Sequence, residues 1–263
     1  MLAFDEERRW ASALGVPPSQ VRRDHLLSHV LHALPHVVPE ATFIGGTALC
    51  RTYLPDWRVS EDIDLLVSSA GRSADQLSGG LPPLLRREFP GLHVTWRPEG
   101  ATHLGHLAAG DLTIRVQLVP SDSSYRRYPT ALTSVALRYG DLPAAVELSV
   151  PTRAGMAAMK LNAWADRAAP RDLCDLFGLV QAGALCRDAI SIAGEASAAL
   201  QPAAFGDGRL PVEEEWVAAL GAQMPVVPDR ELAFHRVRVE VSGLCGWDRP
   251  EWRDGLRRVE GGR

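Results

Sequence analysis

The sequence predicts an α/β (α+β) chain, with a mixed α/β domain over residues 1–150 and a helical domain over residues 151–263. The first observation is one of texture. Before Pro151, short apolar runs of strand length are interleaved with segments of helical spacing; after it, only helical spacing recurs. The second is bulk composition. At 263 residues, 46% hydrophobic and 23% charged, the chain can bury a sizeable core, which excludes a disordered polymer or a disulfide miniprotein.

No apolar run approaches the roughly 18 residues of a membrane span. The start, MLAFDEERRW, carries no apolar signal core, so a cytoplasmic location and no membrane partner are expected. A net charge of −4 argues against general adhesion to nucleic acid, and no DNA partner is expected. Cys50, Cys174, Cys186 and Cys245 form no CxxC or zinc-finger spacing and read as reduced, buried and inert.

Residues 19–34 have the spacing of an amphipathic helix capped by Ser19, with Val21, Leu27, Val30, Leu31 and Leu34 on one side. His25, His29 and His32 lie within about 60° of one another on the opposite side. No carboxylate or Cys completes a ligand set there, so a solvated face is expected. Pro35 and Pro39 should end the helix. Residues 42–44 read as a strand, 47–53 as a helix opened by the Gly45-Gly46 turn, and 63–67 as a buried strand. The Ser- and Gly-rich stretch 68–80 reads as a loop, followed by a short helix at 81–89 with Pro82 and Pro83 in its first turn. Residues 93–97, 112–119 and 145–150 read as strands. Residues 152–167 and 171–181 read as helices, the second from Leu173, Leu176, Phe177 and Val180. Segments 184–200, 211–223 and 228–240 also have helical texture. The polar tail WDRPEWRDGLRRVEGGR is expected to fray.

The segment IGGTALCRTYLPDWRVSEDIDLL carries the chemistry. Strand periodicity of two puts Asp62 and Asp64 on one face. Paired carboxylates repel unless a cation sits between them, and Mg²⁺ takes one or two carboxylates together with substrate phosphates. A glycine turn opening a helix brings backbone N–H groups and positive potential to a phosphate. Those are the parts of phosphoryl or nucleotidyl transfer. Lys160 is the only lysine among 28 basic residues, a compact charge in a chain that otherwise uses the broad guanidinium fork.

The pattern GGTAL…Y…RxSxDIDL resembles the DNA polymerase β-like nucleotidyltransferase superfamily, and within it the AbiEii/AbiGii abortive-infection toxins, which include the MenT-type toxins. Lys160, Asp166-Arg167 and RDLCDLF at 171–177 resemble the second motif of that family and follow in its order. The resemblance covers residues 40–185 and gives residues 186–263 no task. It implies a polymerase β-like domain with a mixed sheet, followed by a helical domain that contributes Lys160 and Asp172 to the site. Gly45, Gly46 and Thr47 would hold the triphosphate, Asp62 and Asp64 the Mg²⁺, and Arg58 and Ser60 would line the nucleotide site. Lys160 would neutralise the triphosphate, and Asp172 would be the acid of the helical domain, a role that Asp175 could share. The implied reaction moves NMP from an NTP to an acceptor hydroxyl, most naturally a tRNA 3′ end, and releases pyrophosphate. A cognate antitoxin of undetermined type is implied. Ser60 is a candidate for inhibitory phosphorylation. The arginine pairs 22–23, 86–87, 126–127 and 257–258 are candidate phosphate contacts.

One departure stands out. The superfamily draws a third carboxylate from a later strand, and in residues 112–119 the matching position is Gln117. Asp111 shares its parity but lies roughly 20 Å away along a strand. The base could come from elsewhere, such as Asp172, or be unnecessary. Two alternatives are an acceptor that is a protein or small molecule such as an antibiotic, and an inactive fold that binds nucleotide or a partner.

Overall fold

In the computed structural model, which describes residues 2–55, 57–121, 125–196 and 200–261, the chain divides into two units. One is Met1–Arg126 with Thr130–Pro151; the other is Arg127–Pro129 with Thr152–Arg263. The first runs α1 (Phe4–Leu14), α2 (Pro18–Val37), β1 (Thr42–Ile44), α3 (Gly45–Thr52), β2 (Asp62–Val67), α4 (Ala70–Leu85), β3 (His93–Glu99), β4 (Thr102–Ala109), β5 (Leu112–Pro120), β6 (Thr130–Ala136) and β7 (Ala145–Pro151). The strands form one sheet in the order β3-β4-β5-β2-β1-β7-β6. β2 is antiparallel to β1 but parallel to β5, and β1 is parallel to β7, so the sheet is mixed, as expected.

Alternation along the central strands sets the two faces of the sheet. Ile63 and Leu65 of β2, with Ile114, Val116 and Leu118 of β5, are buried on one face, and α2 and α4 pack against β5. Each such side chain contributes about 1.5–3 kcal/mol on burial. The alternate positions, Asp62 and Asp64 of β2 and Arg115 and Gln117 of β5, therefore share the other face.

Several expectations are corrected. α2 runs to Val37, through Pro35. A proline this near the C-terminus forfeits only a bond of the last turn, and Val38 N–H still reaches Leu34 O at 2.9 Å. The histidine face is not solvated: His25 and His29 are buried, and only His32 is half-buried. The stretch read as a loop is most of α4, with Ser69 as N-cap and Ala70, Ala74, Leu77, Leu81 and Leu85 buried along one side. Pro82 and Pro83 sit in its last turn rather than its first. α1, β4 and β6 go unpredicted. β4 is secured by pairing with both β3 and β5, a long-range condition that a weak local pattern hides.

A buried charge cluster ties α2 to α3 and to the segment after β6. Asp24 accepts from Arg51 at 2.7 Å, from Arg138 at 3.3 Å and from Tyr139 at 2.8 Å. Arg51 also donates to Ser28 Oγ and to the Ala136 carbonyl, both at 3.0 Å. Burial alone would raise the Asp24 pKa, but Arg51 and Arg138 outweigh it and hold the carboxyl below its ordinary 3.8.

The second unit consists of α5 (Arg153–Arg167), α6 (Pro170–Gln181), α7 (Arg187–Ala196), α8 (Glu213–Leu220), α9 (Arg230–Cys245) and α10 (Pro250–Gly261), with short 3-10 turns at Pro202–Phe205 and Asp207–Arg209. Thr152 caps α5 by accepting from Gly155 N–H at 3.2 Å. Trp164, Phe205, Trp216 and Phe234 fill the core. Through Gly261 the tail does not fray. Its last turns form α10, which packs on α9 and buries Trp252 and Leu256, with the Arg238 guanidinium 5.5 Å from the Trp252 ring. The cysteines carry no disulfide; Cys50 and Cys174 are buried, whereas Cys186 and Cys245 are only partly so.

Asp24→Asn removes a charge that two buried guanidiniums face, and is expected to cost about 3–5 kcal/mol near pH 7. A depressed carboxyl pKa stabilises the fold above its unfolded value and loses that effect as pH falls through the folded one. The gap between wild type and Asp24→Asn in urea denaturation should therefore narrow below about pH 4.

Candidate active site

The register of β1 with β2 builds the site. Ile44 stands opposite Asp64, so the chain leaves β1 directly beside that carboxylate and turns into α3. Gly45 makes the turn with φ of 83°, in the left-handed region that favours glycine. There is also no room for a side chain: a Cβ on Gly45 would come within 2.2 Å of Asp64 Oδ2, and one on Gly46 within 2.2 Å of Arg58 Nη2. The bare backbone at the start of α3 thus lies between the carboxylate of Asp64 and the guanidinium of Arg58, which is buried.

Thr47 is buried and braces this arrangement. Its Oγ1 lies 2.7 Å from Ser60 Oγ and also bonds to the Asp62 carbonyl, which joins α3 to the entry of β2. Asp62 and Asp64 are both half-buried on the sheet face that alternation assigns them. Within this unit the structure brings together Gly45, Gly46, Thr47, Arg58, Ser60, Asp62 and Asp64. The contacts of Thr47 and Ser60 place their hydroxyls in the scaffold and leave the glycine backbone as the surface a phosphate would meet.

Arg115 is the residue that the sequence reading missed. It pairs in register with Asp62 across β2 and β5, and its guanidinium forms an ion pair with the Asp62 carboxylate. The signal was present, since Arg115 shares strand parity with Gln117. Gln117 itself stands in register with Asp64, so the neighbouring position across the sheet holds an amide rather than a carboxylate. An amide neither carries charge nor takes up a proton in this range.

Lys160 and Asp172 meet inside the helical unit. Lys160 Nζ lies 3.1 Å from Asp172 Oδ1 and 2.7 Å from Asp175 Oδ2, and Arg167 adds a two-point contact to Asp172 at 2.7 and 3.1 Å. Both aspartates are fully buried and the lysine nearly so. Of the arginine pairs, Arg22 bonds to Glu7 at 2.7 Å and Arg23 to Glu61 at 3.3 Å, whereas Arg86, Arg87 and Arg126 are exposed. No described helix is long and apolar enough to cross a membrane.

Comparison with known proteins follows the same lines. The family described as nucleotidyl transferase AbiEii toxin, type IV TA system, matches residues 29–256, well beyond the stretch in which the motifs are legible. Among solved structures, the chain is similar to MenT4, a nucleotidyltransferase toxin of Mycobacterium tuberculosis, at 18% identity and a TM-score of 0.69, over 99% of this chain and 97% of that one. It is also matched to an antigenic nucleotidyltransferase-like protein of Paracoccidioides brasiliensis at 14% identity and a TM-score of 0.39, over 90% and 93% of the two chains. No curated protein sequence matches.

Three substitutions test this geometry. Gly45→Ala sets a Cβ against Asp64 at a positive φ and should cost about 1–3 kcal/mol. Gly71→Ala, in open space on α4, should be neutral or slightly stabilising by the same urea denaturation. Lys160→Met removes the ammonium that faces two buried carboxylates. It should lower stability by about 3–5 kcal/mol, read as a drop in denaturation midpoint.

Proposed function

Because this chain belongs to the AbiEii family of nucleotidyltransferase toxins of type IV toxin–antitoxin systems, we propose that it transfers NMP from an NTP to an acceptor hydroxyl, the 3′ end of a tRNA, with release of pyrophosphate. The observation that carries this reading is the packing of the Gly45 backbone against the Asp64 carboxylate and of Gly46 against the Arg58 guanidinium, with Asp62 two residues before Asp64 on the same face. A metal cradle and a phosphate-sized patch of bare backbone are adjacent there.

The donor set fits a hard divalent cation: two carboxylates on one face, beside amide N–H groups suited to phosphate. Asp62 and Asp64 would hold Mg²⁺, which when bound neutralises charge on the reacting phosphates and orients the attack. The Arg58 guanidinium beside Gly46 supplies fixed positive charge where the polyphosphate meets the turn. Arg115 neutralises Asp62 before substrate enters and must give up that contact, wholly or in part, when a cation binds.

Lys160 and Asp172 are assigned to the same reaction on the family resemblance. Their burial and mutual pairing support a structural task as well. Asp172 is held by both Lys160 and Arg167. With Gln117 beside Asp64, β5 offers no carboxylate to take the proton of an incoming hydroxyl; the metal that Asp62 and Asp64 would hold would supply Lewis acidity there. A cytoplasmic location and a cognate antitoxin belong to this reading as family expectations.

A second reading is favoured by one observation. The Arg115–Asp62 ion pair and Gln117 together suit a fold that binds nucleotide or a partner without turnover. A panel of four labelled NTPs, offered to purified tRNA with Mg²⁺, separates the two. Label is expected on tRNA from one preferred nucleotide, with Asp64→Asn reducing it by about 100-fold or more. Label on protein instead would move the acceptor, and nucleotide binding with no label on any fraction would establish the non-catalytic reading.

A further inference from the structure

We propose that His25, His29 and Asp141 bind a zinc ion, or another divalent metal of similar softness, as a structural tie between α2 and the connection from β6 to β7. Among the described residues, this is the only cluster of three metal-capable side chains. It lies outside the motifs that carry the transferase reading.

The geometry is that of a ligand set. Spacing of four on α2 brings both imidazoles to one side, and Asp141 arrives from the β6–β7 connection. His25 Nε2 is 3.1 Å from His29 Nε2 and 3.0 Å from Asp141 Oδ2, and His29 Nε2 is 3.4 Å from that oxygen. Zinc bonds to imidazole nitrogen and carboxylate oxygen are about 2.0–2.2 Å, which puts tetrahedral ligand atoms roughly 3.3–3.5 Å apart. A triangle of the observed size leaves a point about 2 Å from all three corners, just off their plane.

Hydrogen bonding alone does not explain the triangle. Each Nε2 carries either one proton or one lone pair. If both are protonated, both donate to Asp141 and the two N–H groups crowd each other. If either is bare, its lone pair faces the carboxylate. Every assignment leaves one of the three contacts repulsive, whereas a cation at the centre makes all three attractive.

The surroundings favour a held ion. The histidine side chains are 5% and 7% exposed and Asp141 21%. Phe89 packs against both rings, with centroids at 5.5 and 5.3 Å, and Tyr139 meets His25 edge-on at 4.9 Å. A cavity of about 330 Å³ is lined in part by His25 and Phe89. Two nitrogen donors and one oxygen donor suit zinc, whereas magnesium and calcium prefer oxygen alone.

The test uses full-length protein carrying Asp62→Asn, so that the proposed Mg²⁺ site does not contribute. After dialysis against chelator, Zn²⁺ alone is titrated and bound metal is measured by elemental analysis after gel filtration. About one zinc per chain is expected, with a raised melting temperature. His29→Gln in the same background should weaken zinc binding by about 100-fold or more while leaving the circular dichroism unchanged. If His29→Gln fails to fold, Co²⁺ substitution of the parent decides instead: visible d–d bands of a tetrahedral nitrogen–oxygen site support the proposal, and their absence overturns it. Chains that elute without zinc, or a folded His25→Gln/His29→Gln variant that retains it, also overturn the proposal.

Discussion

The site depends on one contact, the bare backbone of Gly45 against the carboxylate of Asp64. The register that sets Ile44 opposite Asp64 brings the turn there, and only a residue without a side chain can make that turn at a φ of 83° with Asp64 Oδ2 beside it. The consequences spread outward. Gly46 lies as close to Arg58 as Gly45 does to Asp64, and the Thr47 hydroxyl then joins the helix to the start of β2. The backbone and the carboxylate that the proposed function assigns to phosphate and metal become neighbours because two short strands pair in one register.

Buried charge is used repeatedly to fix local geometry. Asp24 between Arg51 and Arg138 secures the unit that carries the sheet, and Lys160 between Asp172 and Asp175 secures α5 against α6. Such clusters contribute little net stability relative to a well-packed apolar core, but removing one partner is costly. They therefore specify an arrangement more than they strengthen it. The lysine shows why the pairing matters. A compact ammonium fits between two buried carboxylates, where a guanidinium fork demands a plane and five acceptors. This gives the chain's single lysine a physical reason to remain a lysine, independent of any role in the reaction.

Asp62 lies at the meeting of two demands. Arg115 satisfies it in the protein alone, and a divalent cation would satisfy it with nucleotide bound. Such an exchange of one positive partner for another would keep a carboxylate from standing uncompensated on the sheet.

Local chemistry made the site's ingredients legible. The glycine pair, the period-two aspartates and the strand–turn–helix order follow from rules that act over a few residues, whereas Gln117 was marked by the family resemblance and reached the face of Asp64 through the β2–β5 register. The apolar spacing of α5 and α6 was legible for the same reason. Failures came where a distant partner decides. The Ser- and Gly-rich stretch at 70–80 became helix because Ala70, Ala74, Leu77 and Leu81 had a core to enter. The histidines of α2 looked like a solvated face because the carboxylate that meets them lies 112 residues away from His29. α10 held together because Trp252 found Arg238. The sequence by itself determined which short-range chemistry was available. Tertiary structure alone decided which charges were buried, what neutralised them and which histidines shared a carboxylate, because those depend on chain crossings that no local period encodes.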